Sequence, residues 1–114
     1  MSLIVVNGSE MIRYNPSTAS IEASNSRGIS WFMRYRCSDM GKVRAMTLHK
    51  GEIILCSDKG IYFSRNSGMS WSKRSSSERN FVDIQDMGNE LIATTSDGHI
   101  YASSSGGFSW FKRR

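Results

Sequence analysis

Three tryptophans, Trp31, Trp71 and Trp110, stand 40 and 39 residues apart, and each closes the same kind of string. The strings read IEASNSRGISW from 21, IYFSRNSGMSW from 61 and IYASSSGGFSW from 100. Ser24, Ser64 and Ser103 keep the spacing, as do Gly28, Gly68 and Gly107, and a serine stands before each Trp. A repeat of this length restricts the chain to folds in which one supersecondary unit is copied and stacked. No segment shows the i, i+3, i+4, i+7 spacing of an amphipathic helix. A period near 40 without helices is that of a four-stranded propeller blade.

The rest of each unit fits four strands, A to D. A Gly and a Glu precede an apolar run in NGSEMIRY from 7, HKGEIILC from 49 and MGNELIAT from 87, so Glu10, Glu52 and Glu90 each open a strand B. Before them lie LIVV, VRAMTL and FVDIQDM, partly alternating as half-buried strands do. After strand B come the turns NPSTAS, SDKG and SDGH, then strand C and, from the Trp onward, strand D. The expectation is all-β: one domain over 1–114, built of three four-stranded antiparallel blades at about 3–36, 43–75 and 81–114. A sandwich or β-prism with repeats of this size is the competing architecture, but it does not usually place a Trp straight after each C–D turn.

The three strings resemble the Asp-box, or BNR repeat, S-x-D-x-G-x-T-W. Ser24, Gly28 and Trp31, Ser64, Gly68 and Trp71, and Ser103, Gly107 and Trp110 match it. The Asp position holds Ser26, Asn66 and Ser105, which keep an acceptor but no charge, and the Thr position is Ser throughout. The family includes sialidases, other glycosidases, sortilin-type receptors and a photosystem assembly factor, mostly β-propellers. The resemblance implies that each box fixes the C–D hairpin: Ser and the Asp-position side chain bond the turn backbone, Gly takes positive φ, and the Trp packs beneath. It also implies that the box lies away from the active face.

Propellers usually have four to eight blades, and three leave two sheet faces uncovered. Two copies supply six. A head-to-tail homodimer, with Leu3, Val5 and Phe111 near its junctions, is the expected closure. A fragment of a longer propeller is the alternative.

Sialidase chemistry needs an arginine cluster, a Tyr–Glu pair and an Asp acid. Arg13, Tyr14, Arg34, Tyr35, Arg36 and Arg44 sit in no recognisable segment of that kind, and the three Glu recur where a catalytic carboxylate is singular. No catalytic, metal or cofactor residue is therefore assigned. His49 and His99 read as turn histidines without ligand-spaced neighbours. Arg34, Arg74 and Arg113, each three positions after a Trp, read as charges guarding exposed edge strands. The D–A and B–C loops and strand A give a candidate ligand face of Arg36, Asp39, Arg44, Asp58, Asp83, Asp97 and His99.

The net charge of +5 admits a polyanion such as nucleic acid, but solubility accounts for it as well, and no nucleic-acid partner is assigned. Cys37 and Cys56 do not make a disulfide framework. No run approaches the ~20 apolar residues of a membrane span, and the start MSLIVV does not read as a signal peptide. The expectation is a cytoplasmic protein with free thiols, unless it is exported with a larger particle. The leading functional expectation is a non-enzymatic, lectin-like module whose repeated sites give avidity for glycan. A protein-interaction scaffold and a glycosidase remnant are the alternatives.

Overall fold

A computed structural model describes residues 3–76 and 81–114. Blade 1 is β1 (Ile4–Asn7), β2 (Glu10–Asn15), β3 (Ser20–Ser24) and β4 (Phe32–Arg36). Blade 2 is β5 (Val43–His49), β6 (Glu52–Ser57), β7 (Gly60–Ser64) and β8 (Ser72–Ser76). Blade 3 is β9 (Phe81–Asp86), β10 (Leu91–Thr95), β11 (Ile100–Ser103) and β12 (Phe111–Lys112). Each blade is an antiparallel sheet with its strands in chain order, and no helix occurs among the described residues. The first strands gather on one side, where β5 touches both β1 and β9. The SSERN link between blades 2 and 3 falls largely outside the described residues.

Strand pairing sorts each blade into two faces. Val5 pairs with Ile12, Ile12 with Ala23, and Tyr14 with Ile21, so these side chains share the trailing face of blade 1. They form one core with Met46, Ile53, Leu55 and Tyr62 on the leading face of blade 2. The trailing face of blade 2 offers Ala45, Ile54, Cys56 and Ile61 to Ile84, Leu91, Ala93 and Trp110 of blade 3. Strand β6 is thus covered on both sides, and Ile53 to Ser57 are all buried. That position explains the unbroken IILC run: a strand between two sheets gains from apolar side chains at every residue, whereas a half-buried strand alternates.

Two expectations change here. Leu3 and Val5 belong to the blade 1–2 core rather than to a free face, because Val5 shares the trailing side of β1. The exposed apolar residues on the leading side of β1 are Ile4 and Val6. His49 is not a turn residue: it ends β5, is 2% exposed, and meets Asp86 of blade 3 at 2.6 Å through Nδ1. In the link after β4, Cys37 and Met40 are buried between blades 1 and 2.

Both cysteines are free. Burial pushes the Cys37 thiol up to about 11 and the Cys56 thiol up to about 12. The thiolate is the reactive form, so native protein should react with an aromatic disulfide reagent at pH 8 far more slowly than denatured protein. Unfolding without reductant should release two titratable thiols.

Candidate functional site

The C–D turn has the same construction in each blade. The first Ser accepts from the backbone N–H of the turn Gly at 2.9 Å, as Ser24 to Gly28, Ser64 to Gly68 and Ser103 to Gly107. Two residues on, Ser26, Asn66 and Ser105 each accept at 3.0 Å from the N–H of the serine before the Trp. The uncharged acceptors therefore make the turn's backbone bond at all three places. Gly28, Gly68 and Gly107 have φ of +89°, +90° and +101°, which side-chain-bearing residues rarely adopt. The indole N–H of Trp31, Trp71 and Trp110 returns to that glycine's carbonyl at 3.0, 3.0 and 3.2 Å. Trp110 is 6% exposed, while Trp31 and Trp71 are half-buried.

The turn of one blade is also the seal of the blade before it. A Cβ built on Gly68 would stand 3.0 Å from Ile21 of blade 1, and one on Gly107 would stand 3.2 Å from Ile61 of blade 2. Only a glycine lets the turn approach that closely.

The recurrent Glu and Arg prove to be partners. Arg34 binds Glu10 through both terminal nitrogens at 3.0 and 2.7 Å. Arg74 binds Glu52 at 2.8 and 3.0 Å, and Arg113 binds Glu90 at 2.8 and 3.2 Å. Each pair crosses its own sheet: Glu10 and Glu52 open β2 and β6 and reach arginines of β4 and β8, while Glu90 and Arg113 lie just before β10 and just after β12. The first two also reach into the next blade. Arg34 Nη1 donates to the Ser67 carbonyl at 3.0 Å, and Arg74 Nη1 to the Gly106 carbonyl at 3.0 Å. Arg74 lies between Phe63 and Phe108, 3.7 and 4.5 Å from the ring centres. The Arg34 and Arg74 side chains are 8% and 2% exposed. They are buried latches between blades, not edge charges, because the next blade's turn covers them.

These pairs set the acid behaviour. Arg74, with Arg65, holds the Glu52 carboxyl at about 2 against an ordinary 4.5. Arg34 lowers Glu10, and His49 lowers Asp86. A depressed folded-state value contributes stability above the unfolded value and loses it as pH falls through the folded one. The Glu52 contribution, on the order of 2 kcal/mol, should be intact at pH 6 and fade from about 4.5 towards about 2. Urea midpoints between pH 6 and 2.5 should therefore drop on acidification, and Glu52→Gln should be less stable at pH 6 with a shallower decline.

The residues expected to form a ligand face are placed mostly in local pairs. Arg44 binds Asp58 at 2.9 Å within blade 2. Asp97 accepts from Thr95 Oγ1, and His99 Nε2 lies 3.6 Å from Asp97 in blade 3. Arg36 and Asp39 are exposed near the end of blade 1. Asp83 lines a groove of about 370 Å³ with Ile4, Val5, Met46, Thr47, Ile84, Gln85 and Asp86, where β1, β5 and β9 meet. Arg44 lines a different cavity, about 570 Å³, with Leu3, Tyr14, Pro16, Lys42 and Val43. Among the described residues no three His, Cys, Asp or Glu come together as metal donors. The latch arginines and the sealing role of the turn were missed at the sequence level. The signal was present: Glu and Arg recur in register in every unit, which points to a pair.

The geometry defines a class: three consecutive blades of a β-propeller. Solved structures carry the same arrangement. YCF48 bound to a D1 peptide superposes with a TM-score of 0.76 at 16% identity, over 97% of this chain and 40% of that one. YCF48 from Cyanidioschyzon merolae gives 0.73 at 18% identity, over 96% and 35%. An ancestral GH74 enzyme gives 0.68 at 17%, over 96% and 17%. The chain thus spans 40% or less of each of these proteins, and at such identities the likeness is one of fold. No family model and no curated protein matches the chain.

Proposed function

We propose that the chain is a non-enzymatic interaction module, a half-propeller that closes into a six-bladed ring as a head-to-tail homodimer and presents its loops and axial groove to a protein partner. One observation carries the reading: the trailing face of blade 3 is built like a junction face, but among the described residues no other blade packs on it. Counting from Glu10, Glu52 and Glu90, Ile92 is the counterpart of Ile12 and Ile54, which are both 0% exposed. Ile100 is the counterpart of Ile21 and Ile61, at 0% and 1%. Ile92 and Ile100 are only half-buried, and Phe111 beside them is 66% exposed. An apolar face of this kind marks an interface.

The protein partner is supported by chemistry and by analogy. The groove where the first strands meet mixes apolar walls with Asp83, Gln85 and Asp86, which suits an extended peptide with basic or amide groups, and a propeller of similar fold, YCF48, is known with a peptide bound. Glycan is the second reading, since a closed ring repeats one turn six times and multiplies weak contacts. A glycan array should be silent if the protein reading holds, and a fluorogenic sialoside should not be cleaved. The assembly is tested by light scattering. The chain should give about twice its 12.8 kDa, and Ile100→Glu should return it to one. A wild-type chain of single mass at all concentrations would remove the reading.

A further inference from the structure

We infer that the ring closes through the same latch that joins the blades within the chain: Arg113, held by Glu90, donates to the backbone carbonyl of Arg27 in a second copy, whose Gly28 turn seats on Ile92 and Ile100. This rests on the two-copy ring proposed above and names its contacts.

The two internal junctions give the rule. In each, the latch arginine takes the carbonyl of the residue just before the turn glycine: Ser67 before Gly68, Gly106 before Gly107. The corresponding residue in blade 1 is Arg27, before Gly28. Its φ is +60°, against +61° for Ser67 and +71° for Gly106, so its backbone turns in the same way. Arg113 already has the fork on Glu90 that Arg34 and Arg74 have on theirs. It differs in being 56% exposed, and among the described residues it meets no carbonyl of another blade.

The glycine seat is also available. A Cβ on Gly28 would find only its own blade, Trp31 at 3.6 Å and Met11 at 3.8 Å. At Gly68 and Gly107 the nearest atom belongs to an isoleucine of the preceding blade, and Ile100 is the isoleucine at that position with no turn above it among the described residues.

One place on the two faces departs from the pattern, and it departs on both. Where blades 2 and 3 put Leu55 with Tyr62 and Ala93 with Tyr101 on their leading faces, blade 1 puts Arg13 with Glu22, paired at 2.8 Å. On the trailing faces Tyr14 and Cys56 share a core with those apolar pairs. Their counterpart in blade 3 is Thr94, whose hydroxyl suits a partner made of Arg13 and Glu22. Polar residues at matching depth on both free faces favour their meeting each other, since either alone against an apolar sheet would lose hydrogen bonds.

Sedimentation equilibrium of the full 114-residue chain tests the contact. Arg113→Ala should raise the dimer dissociation constant about tenfold or more, and Arg113→Lys should recover only part, because one ammonium cannot form the fork on Glu90 and reach the carbonyl as well. Arg36→Ala, an exposed charge outside the latch, should leave it unchanged. A mixing arm fixes the direction. Ile100→Glu disables the trailing face and Val6→Arg the leading face, so each alone should be a monomer and the mixture should pair through its one intact junction. A wild-type dimer indifferent to Arg113→Ala, or mutants that fail to complement, would overturn the latch and leave the two-copy assembly standing. A wild-type monomer would overturn both. An open chain of many copies sensitive to Arg113→Ala would keep the latch and remove the closed ring.

Discussion

Arg74→Ala is expected to destabilise the protein by about 3–5 kcal/mol, measured by urea unfolding at pH 7. The guanidinium is 2% exposed, binds Glu52 in a fork, and donates to the Gly106 carbonyl of the next blade. Removing it leaves the Glu52 carboxylate in a partly desolvated site with Arg65 as its remaining cation, and strips Phe63 and Phe108 of the cation between them. The loss should be larger than for Arg44→Ala, whose partner Asp58 is 47% exposed and whose pair is therefore screened by water. Similar losses at both positions would mean that the latch contributes no more than a surface pair.

Trp71→Ala should cost about 3 kcal/mol or more, as truncation of a large side chain in a packed site does. The indole packs against the blade 1–2 core and pins the Gly68 carbonyl with its N–H at 3.0 Å. The substitution therefore loosens the turn that seals Ile12 and Ile21, and the damage should reach blade 1 as well as blade 2. Hydrogen exchange should show it as lost protection in β3 along with β7. Trp71→Phe should recover the packing but not the hydrogen bond. A loss below about 1 kcal/mol would mean that the serine-centred backbone bonds hold the turn without the indole.

Much of the fold was legible because its signals are local. The Ser, Gly and Trp positions are read from spacing alone, and a four-strand unit follows from the apolar runs between turns. What escaped depended on which face a side chain takes and on what lies beyond the blade. Val5 and Val6 are neighbours of the same type, yet one is 7% and the other 60% exposed, and only the register of β1 on β2 separates them. Arg34 and Arg74 read as edge charges because strand D is outermost in its own sheet; the next blade, which covers them, is about 30 residues further along the chain. Met40, fully buried, sits in a link whose polar neighbours gave no hint of it. The candidate ligand residues were chosen by loop position, and the structure divides them among local pairs, because Arg44 with Asp58 and Asp97 with Thr95 satisfy each other within a blade.

Small-angle X-ray scattering tests the proposed closed ring of two chains in one experiment because it reads mass and shape together. A lone three-blade wedge has a radius of gyration of 13.3 Å. A compact ring of twice the chain length should give about 17 Å, with about twice the 12.8 kDa mass and a distance distribution that ends within a single compact body. A particle of single mass near the wedge value, or a double-mass particle with a markedly larger radius and an elongated distribution, would contradict closure.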